Sequence, residues 1–384
     1  MYSQNSHLNF QLKIWLVTLI ILIILIILVG GLTRLTDSGL SITTWELFVG
    51  FIPPLTNDKW IDYFELYKNI PEFSEQNYNM TLNEFKVIFW WEWGHRQLGR
   101  LIGLSVLLPI IFFSIKNGLS ILKDYGLIFL LVCLQGFIGW YMVSSGLIDR
   151  VDVSHYRLSL HLVTAFVILS VVFWKFLKLS KIKAQYVSIN INLVKFFLFL
   201  LFLQLAIGAF VSGMDAGRIY NTWPLMGSSY FPDDSKFIEF LNVNVFDNPS
   251  IVQFIHRNLA YLILGIYIYI LFIVMKDQKE IFRKPVLIIG VSLFLQVFFP
   301  LVLKLNYHLR KLTNLDSTIG YYSKKLDPNN VTQIKYHGLE CKIPTYSEDI
   351  CEDFYGSDWR NPKGMDHYSD FYKNSSDKNF LNKQ

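Results

Sequence analysis

The chain has 384 residues, of which 52% are hydrophobic, 16% aromatic and only 17% charged, and its mean hydropathy is +0.34. This composition is typical of integral membrane proteins and excludes an ordinary soluble enzyme. The formal net charge is +5, but no basic arm with interleaved aromatic residues accompanies it, so nothing indicates nucleic-acid binding.

Seven apolar stretches of about spanning length predict seven transmembrane helices. The second stretch reaches that length only if its helix begins near Gln97. The stretches are too long and too evenly apolar for barrel strands, which alternate and last about ten residues. The predicted fold class is therefore an all-α membrane protein. In chain order the stretches cover residues 14–33, 101–115, 125–148, 158–174, 196–214, 258–275 and 285–303.

The positions of the basic residues predict which loops face the cytoplasm. Lysine and arginine collect before the first predicted helix and after the second, fourth and sixth. By the positive-inside rule the N-terminus is cytoplasmic, and the long loops 34–90 and 213–253 face outward. Neither a cleavage site after the first helix nor an Arg- and Ser-rich transit peptide is found. The sequence thus predicts a multi-pass protein of the bacterial cell inner membrane.

Two patterns occur twice in the chain and predict a duplicated unit. A His-Arg pair stands at 95–96 and again at 256–257, and each is followed 40 residues later by Leu-Gln. Asp-x-Gly-x4-Thr-Trp stands at 37–45 and again at 215–223. The copies are 161 residues apart for the first pattern and 178 for the second, so the first outer loop is 17 residues longer.

The duplication predicts four helices per half, arranged as two pseudo-symmetric four-helix bundles related by an axis along the membrane normal. The first bundle is predicted to cover residues 12–178 and the second 194–305. A polar tail of unknown structure, 306–384, follows them. Seven predicted helices leave the second bundle without its last helix.

Three histidines are predicted to lie in the first turn or so of helices that begin at the outer face. His95, His161 and His256 would all lie at one depth near the outer surface. Imidazoles from two helices of one bundle can ligate a haem iron from both sides, while Arg96 or Arg257 pairs with the propionates. A lone histidine at a helix end is more often an interfacial residue, but the repetition at matched positions favours ligation.

Two further observations limit this interpretation. Zinc is a weaker alternative to haem because no cysteines or carboxylates accompany the histidines at ligand spacing. His155, predicted in the outer loop before the fourth helix, has no counterpart in the repeat and is interpreted as structural.

Glu92 distinguishes the two halves. It lies three residues before His95, hence on the same helix face and within reach of any group that His95 binds. Its counterpart in the second half is the neutral Gln253. The alternative is an interfacial carboxylate under an aromatic belt. If the halves have diverged, only the first is equipped for acid or base chemistry.

Five segments together resemble haem A synthase of the alphaproteobacterial and mitochondrial type. Their motifs are specific in combination, because they recur in order at plausible spacing, and the resemblance covers residues 8–298. The segments are GLTRLTDSGLS at 31–41, EWGHR at 92–96, HL at 161–162, NTWPLM at 221–226 and FIHR at 254–257.

The resemblance implies an eight-helix inner-membrane oxidoreductase that converts the C8 methyl group of haem O to the formyl group of haem A, the cofactor of cytochrome oxidase. It implies that His95 and His161 hold the substrate haem with Glu92 beside it. A haem B would be held by His256 and a histidine on the eighth helix. Implied partners are haem O synthase, cytochrome oxidase assembly factors, an electron acceptor or donor, and membrane lipid. The oxygen source and self-association stay open.

The sequence departs from the family pattern after residue 298. The tail 306–384 contains no further apolar span. His308 lies too close to Gln296 to replace the missing ligand, and Tyr322 occupies the matching position. We expect haem B to be held weakly, or only with a neighbouring subunit's help, and activity to be impaired. A frameshift, a fusion and a gene remnant would each give such a tail.

Two other function classes stay open. A non-catalytic, cytochrome b-like haem-binding or electron-transfer protein needs the histidines but not Glu92. A transporter is suggested by the internal repeat alone, and the sequence lacks the Gly- or Pro-broken helices that mark a midplane substrate site.

Overall fold

The computed structural model describes most of the chain, and every structural statement below concerns these residues. The chain up to Lys284 forms one compact unit, and residues 285–384 form a second. The described ranges are 2–45, 49–149, 151–180, 189–276, 282–296, 331–336 and 339–344.

Eight helices account for most of the first unit. They are α1 (Tyr2–Leu35), α2 (Asn57–Lys68), α3 (Pro71–Glu75), α4 (Leu82–Asn117), α5 (Ser120–Asp149), α6 (His155–Leu179), α7 (Ile191–Gly213) and α8 (Pro249–Lys276). Six of them, α1 and α4 to α8, are long and apolar enough to cross a membrane. The prediction of an all-helical membrane protein is confirmed.

The seventh predicted helix and the tail fall mainly in the second unit. A helix, α9, covers residues 283–296, and the rest of the predicted span, to residue 303, lies outside the described residues. In the tail, β1 (Val331–Tyr336) pairs antiparallel with β2 (Leu339–Pro344). The sequence had left the structure of the tail open, so this hairpin is an addition to the all-helical class.

Helix α4 begins at Leu82, 15 residues before Gln97, so the predicted start near Gln97 was wrong. A capping box, in which Thr81 and Glu84 bond reciprocally, fixes the helix start. The 36 residues of α4 extend about 54 Å, whereas the hydrocarbon core is about 30 Å thick. The charged first turns lie beyond the membrane, so hydropathy did not mark them as helix.

Helices α1, α4, α5 and α6 form a closed ring. Helix α1 packs against α4 and α6, and α5 packs against the same two. The inner half of the ring is filled by an apolar core to which every helix contributes fully buried side chains. Among them are Leu16, Val106, Ile128 and Val172. Because this core closes the inner half, polar groups within the ring lie toward its outer end.

An outer cap, defined here as residues 57–75, accounts for the greater length of the first outer loop. Its two helices, α2 and α3, pack against α4 and α5 respectively. Trp60, Phe64 and Tyr67 of the cap form an apolar cluster with Phe85 and Phe89 of α4. The projecting turns of α4 are therefore stabilised by packing outside the membrane.

A buried polar pair lies within the cap. The Tyr67 hydroxyl donates to Glu72 Oε1 at 2.7 Å, and Asn77 Nδ2 donates to the Tyr67 hydroxyl at 2.8 Å. Burial raises the pKa of Glu72 to about 8 and also raises the pKa of Tyr67. Glu72 is thus most stable in its protonated form, a property used below as a test of the cap.

Arg34 joins the outer ends of α1 and α7. Its Nη1 donates to Asp37 at 2.5 Å, and its Nη2 donates to the Ser212 carbonyl at 2.9 Å and to Asp215 at 3.2 Å. Asp37 and Asp215 are copies in the repeat, and both have positive φ, 46° and 50°. One arginine therefore pairs with the same turn of each half. The division into two bundles stays a prediction.

Candidate functional site

His95 lies four turns into α4, not in its first turn as the sequence predicted, because α4 begins early. Its ring packs against Gly30 of α1, where a Cβ would lie 3.0 Å from the His95 Cε1. Such an approach is shorter than ordinary van der Waals contact, so any side chain here would require the imidazole to shift. The half-buried ring keeps its Nδ1 buried without a hydrogen-bond partner.

His161 lies in the second turn of α6 and packs in the same way against α5. A Cβ at Gly139 would lie 3.0 Å from its Cε1. One turn away along α5, Gln135 Nε2 donates to the His161 carbonyl at 3.0 Å and lies 3.2 Å from the ring Nδ1. The Gln135 Oε1 atom is buried without a partner.

His256 repeats this arrangement between α7 and α8. A Cβ at Gly208 would lie 3.1 Å from its Cε1. Gln204 Nε2 is 3.2 Å from the ring Nε2 and donates to the His256 carbonyl at 3.2 Å. The His256 Nδ1 and the Gln204 Oε1 are buried and unpartnered. Sequence reasoning missed Gln204, although Leu-Gln-x-x-Ile-Gly at 134–139 and 203–208 was a signal for it.

The ring of helices sets the relation between His95 and His161. Their helices, α4 and α6, each contact α1 and α5 and so occupy opposite corners of the ring. Both histidines lie outward of the apolar core. Opposite corners suit two imidazoles that approach a flat group from its two sides.

Glu92 is buried and holds the loop that follows α1. Its Oε2 accepts from the Ser41 hydroxyl and the Ile42 N–H, both at 2.7 Å. Its Oε1 accepts from Arg96 Nε at 3.0 Å and Nη2 at 2.6 Å. Four donors occupy the lone pairs of the carboxylate. Glu92 thus joins α4 to the loop through four hydrogen bonds.

Arg96 and Arg257 make matching contacts in the two halves. Arg96 donates to the carbonyls of Ile42 at 2.8 Å and Thr44 at 3.2 Å. Arg257 donates to the carbonyls of their repeat counterparts, Tyr220 at 2.7 Å and Thr222 at 2.8 Å. These contacts commit two donors of Arg96 and at least two of Arg257 to backbone carbonyls, and the predicted pairing with propionates stays a prediction.

Gln253 replaces Glu92 in the second half. Its Nε2 donates to the Tyr220 carbonyl at 3.0 Å, and its Oε1 is buried without a partner. No carboxylate therefore faces Arg257 where Glu92 faces Arg96.

The other sequence-predicted histidine that the structure describes, His155, lies apart from these sites. His155 begins α6 instead of lying in a loop. Its Nε2 is 3.3 Å from Asp247, and it packs against Gly213, where a Cβ would lie 2.8 Å from the His155 Cβ. His155 thus joins α6 to α7 and the second outer loop. His308, which lies too close to Gln296 to replace the missing ligand, and Tyr322, which occupies the position of that ligand, are outside the described residues.

The residues present fit a haem. Buried, unpartnered ring nitrogens at His95 and His256 are imidazole donors without a protein partner, and imidazole is a common haem ligand. Glycine at each ring removes a side chain that would displace the imidazole. The fit is better founded for the first half, since both of its predicted ligands are described.

Comparisons with known proteins agree with this chemistry. The profile of the family described as cytochrome oxidase assembly protein, COX15-CtaA, matches residues 13–305. A haem A synthase of Pelagibacter ubique is 51% identical over 293 residues, which cover 76% of this chain and 87% of the relative.

Two other relatives, both named haem A synthase, extend the comparison. The protein of Maricaulis maris is 46% identical and covers 67% of this chain and 77% of its own length. That of Rickettsia bellii is 41% identical and covers 77% of this chain and 90% of its own length. No solved structure matches the chain. The family match spans most of the chain, and the chain belongs to the family of cytochrome oxidase assembly proteins.

Proposed function

We propose that this protein is a haem A synthase that oxidises the C8 methyl group of haem O to the formyl group of haem A. The observation that carries the proposal is the pair His95 and His161 on opposite corners of the α1–α4–α5–α6 ring, with Glu92 on the face of His95. The relatives named haem A synthase support the same activity.

The first half binds and orients the substrate. His95 and His161 hold the iron of haem O, and the inner apolar core limits how deeply the porphyrin enters. Converting a methyl to a formyl group removes four electrons from the carbon and adds one oxygen atom, either from water, with the electrons passing to the electron acceptor, or from dioxygen, which takes up electrons itself. Positive charge therefore develops near the porphyrin edge. The carboxylate of Glu92 stabilises that charge because its position is fixed before the reaction. Arg96 holds the carboxylate in place through contacts at 2.6 and 3.0 Å.

The second half binds a resident cofactor. Its described residues include one of the two ligands, His256, which would hold a haem B whose iron supplies one-electron chemistry. Gln253 brings no charge to this site, so the role of the second half is to bind haem B and to transfer electrons. The tail lacks the histidine expected as the second ligand, so we expect haem B to be held weakly, or only with a neighbouring subunit's help.

We further propose a location in the bacterial inner membrane with a cytoplasmic N-terminus. The basic loops of the sequence support this orientation. Both the haem sites and the outer cap then face the outer side. Haem O synthase, cytochrome oxidase assembly factors and an electron acceptor are the proposed partners, with self-association as a further possibility for the incomplete half.

The test is production of haem A in a host membrane that makes haem O but no haem A. Extracted haems are separated and identified by mass spectrometry. The formyl product, haem A, is expected only when the wild-type chain is present. His7→Gln, which removes an exposed histidine far from the site, is the control and should leave the product unchanged.

A chain that is present, loaded with haem and unable to form any haem A would contradict the proposal. That outcome would favour the second candidate, a non-catalytic haem-binding or electron-transfer protein.

A further inference from the structure

The three haem-ligand candidates are held differently by their neighbouring helices. His161 and His256 each contact a glycine and, one turn earlier on the same helix, a glutamine: Gln135 with Gly139, and Gln204 with Gly208. We call each Gln-x3-Gly pair a cradle. His95 contacts a glycine, Gly30, but the residue four positions earlier on α1 is Ile26.

The cradle restrains both the backbone and the ring of its histidine. In each case the glutamine amide donates to the histidine carbonyl, at 3.0 Å for Gln135 and 3.2 Å for Gln204. The same amide nitrogen lies 3.2 Å from a ring nitrogen. With glycine against Cε1, the ring has a polar contact and a close steric contact on the same helix. Rotation of the imidazole would break both.

The unpartnered glutamine oxygens indicate what the cradle does when iron is bound. Gln135 Oε1 and Gln204 Oε1 are buried without hydrogen-bond partners. When one ring nitrogen gives its lone pair to a metal, the other carries a proton and needs an acceptor. Rotation of the amide would bring the oxygen to this N–H, in exchange for the Nε2 hydrogen bond to the histidine carbonyl. Hydrogen bonds of this kind set the ring orientation and raise ligand basicity.

Ile26 occupies the glutamine position of the first helix. By the 178-residue offset it is the counterpart of Gln204, as Gly30 is of Gly208. It faces α4, since its Cδ1 would lie 3.7 Å from a Cβ at Gly99, one turn beyond His95. An isoleucine side chain donates no hydrogen bond, so it cannot make the amide contact that Gln135 and Gln204 make to their histidines. The His95 ring therefore lacks the restraint that the other two share.

We propose that the cradles make His161 and His256 fixed haem ligands, and that His95, without a glutamine, is the ligand released when haem enters and leaves the first half. This inference rests on the proposed function. It suits a substrate site, where haem O must bind and haem A must leave, whereas a resident haem needs firm ligation. Gln135 and Gln204 are positioning residues because they act through the histidines.

The test follows haem exchange and ligand geometry in the purified full-length protein. Haem loss is measured by transfer to excess apomyoglobin, and axial-ligand geometry by the low-temperature EPR spectrum of the oxidised haem. Gln135→Leu and Gln204→Leu are expected to speed haem loss from their own half by about tenfold or more and to shift the EPR g values. Gln204→Glu, which keeps an acceptor, should restore slow loss.

Ile26→Gln is the converse variant and adds the missing amide beside His95. It should slow haem loss from the first half several-fold and lower haem A output, because product is retained. The matched control is Gln97→Leu on α4. Gln97 donates to the Gly50 carbonyl at 2.7 Å, which Arg100 also contacts, so its loss should change neither haem exchange nor the EPR spectrum.

The outcomes separate this inference from the proposed function. In one outcome the wild-type protein forms haem A, but haem exchange and EPR spectra are unchanged in Gln135→Leu, Gln204→Leu and Ile26→Gln. This result would overturn the inference about the cradles and leave the proposed function standing. In another outcome the wild-type protein binds haem but forms no haem A, and the leucine variants lose haem faster. This result would support the inference about the cradles and overturn the proposed function. A wild-type chain that binds no haem would overturn both.

Discussion

The outer ends of the two halves share a backbone arrangement and differ in charge. In both, an arginine lies one turn after a buried residue of the same helix, α4 or α8, and donates to two loop carbonyls. The carbonyls are those of Ile42 and Thr44 in the first half and those of Tyr220 and Thr222 in the second. In the first half the buried residue is a carboxylate paired with that arginine, and in the second it is an amide, Gln253. The arginine-to-loop contact is therefore structural, while the carboxylate is specific to the first half.

Loss of a first-half ligand should have the largest effect. His95→Met and His161→Met are each expected to reduce haem A below detection, because thioether ligation changes the iron's electronic properties and the substrate's position. The haem spectrum should shift as well. Haem extraction with mass analysis measures the product and absorption spectroscopy measures ligation. Unchanged spectra with full output in both variants would remove the substrate site from this half.

Glu92→Gln tests whether the carboxylate serves the reaction. We expect haem binding to persist and turnover to fall about 100-fold, the usual cost of removing one preorganised electrostatic group. Haem content per chain and haem A per bound haem are measured separately. Gln253→Glu is the matched change in the second half and should leave turnover unaltered.

A loss of bound haem in Glu92→Gln, with normal turnover per remaining haem, would assign Glu92 to structure alone. The second half would then differ from the first only in charge and not in chemistry.

The outer regions should respond to pH in opposite directions. Burial raises the pKa of Glu72 from 4.5 to about 8, so its contribution to cap stability is full below pH 4.5 and is lost as pH rises through 8. In the second loop, hydrogen bonds from Ser228 hold the pKa of Asp233 below its ordinary value. The stability that Asp233 contributes to the second outer loop is therefore present when the pH is above the ordinary pKa of an aspartate, and it is lost as the pH falls.

Unfolding of the detergent-solubilised protein, followed by hydrogen exchange of the two outer regions, measures this difference. Glu72→Gln should remove the loss of cap protection between pH 4.5 and about 8. Persistence of that loss in the variant would assign it to another group.

Arg34→Gln should have the smallest effect. The substitution removes a partly exposed ion pair to each half and one hydrogen bond to the Ser212 carbonyl, so we expect a destabilisation of about 1 kcal/mol. Thermal unfolding measures it. Lys68→Gln, which removes an exposed ion pair within α2, is the control. Equal effects of the two variants would mean that Arg34 does not join the halves.

The sequence by itself determined the class of protein and predicted the candidate haem ligands. Apolar runs mark membrane helices because the bilayer imposes both length and composition on them. Copies of His95–Arg96 and of the Asp-x-Gly loop revealed the duplication because both patterns are contiguous in the chain. Single-residue differences such as Glu92 against Gln253 were visible once the copies had been aligned.

Only the tertiary structure decided how these residues are held. The early start of α4 depends on packing against the cap, so hydropathy could not predict it. The contacts of Glu92 with Ser41 and of Gln204 with His256 join different segments, and helix rotation determines which side chains meet. Glycine at 30, 139 and 208 has meaning only beside an imidazole from another helix. A linear pattern contains the residues of such contacts, whereas the packing of helices selects which of them touch.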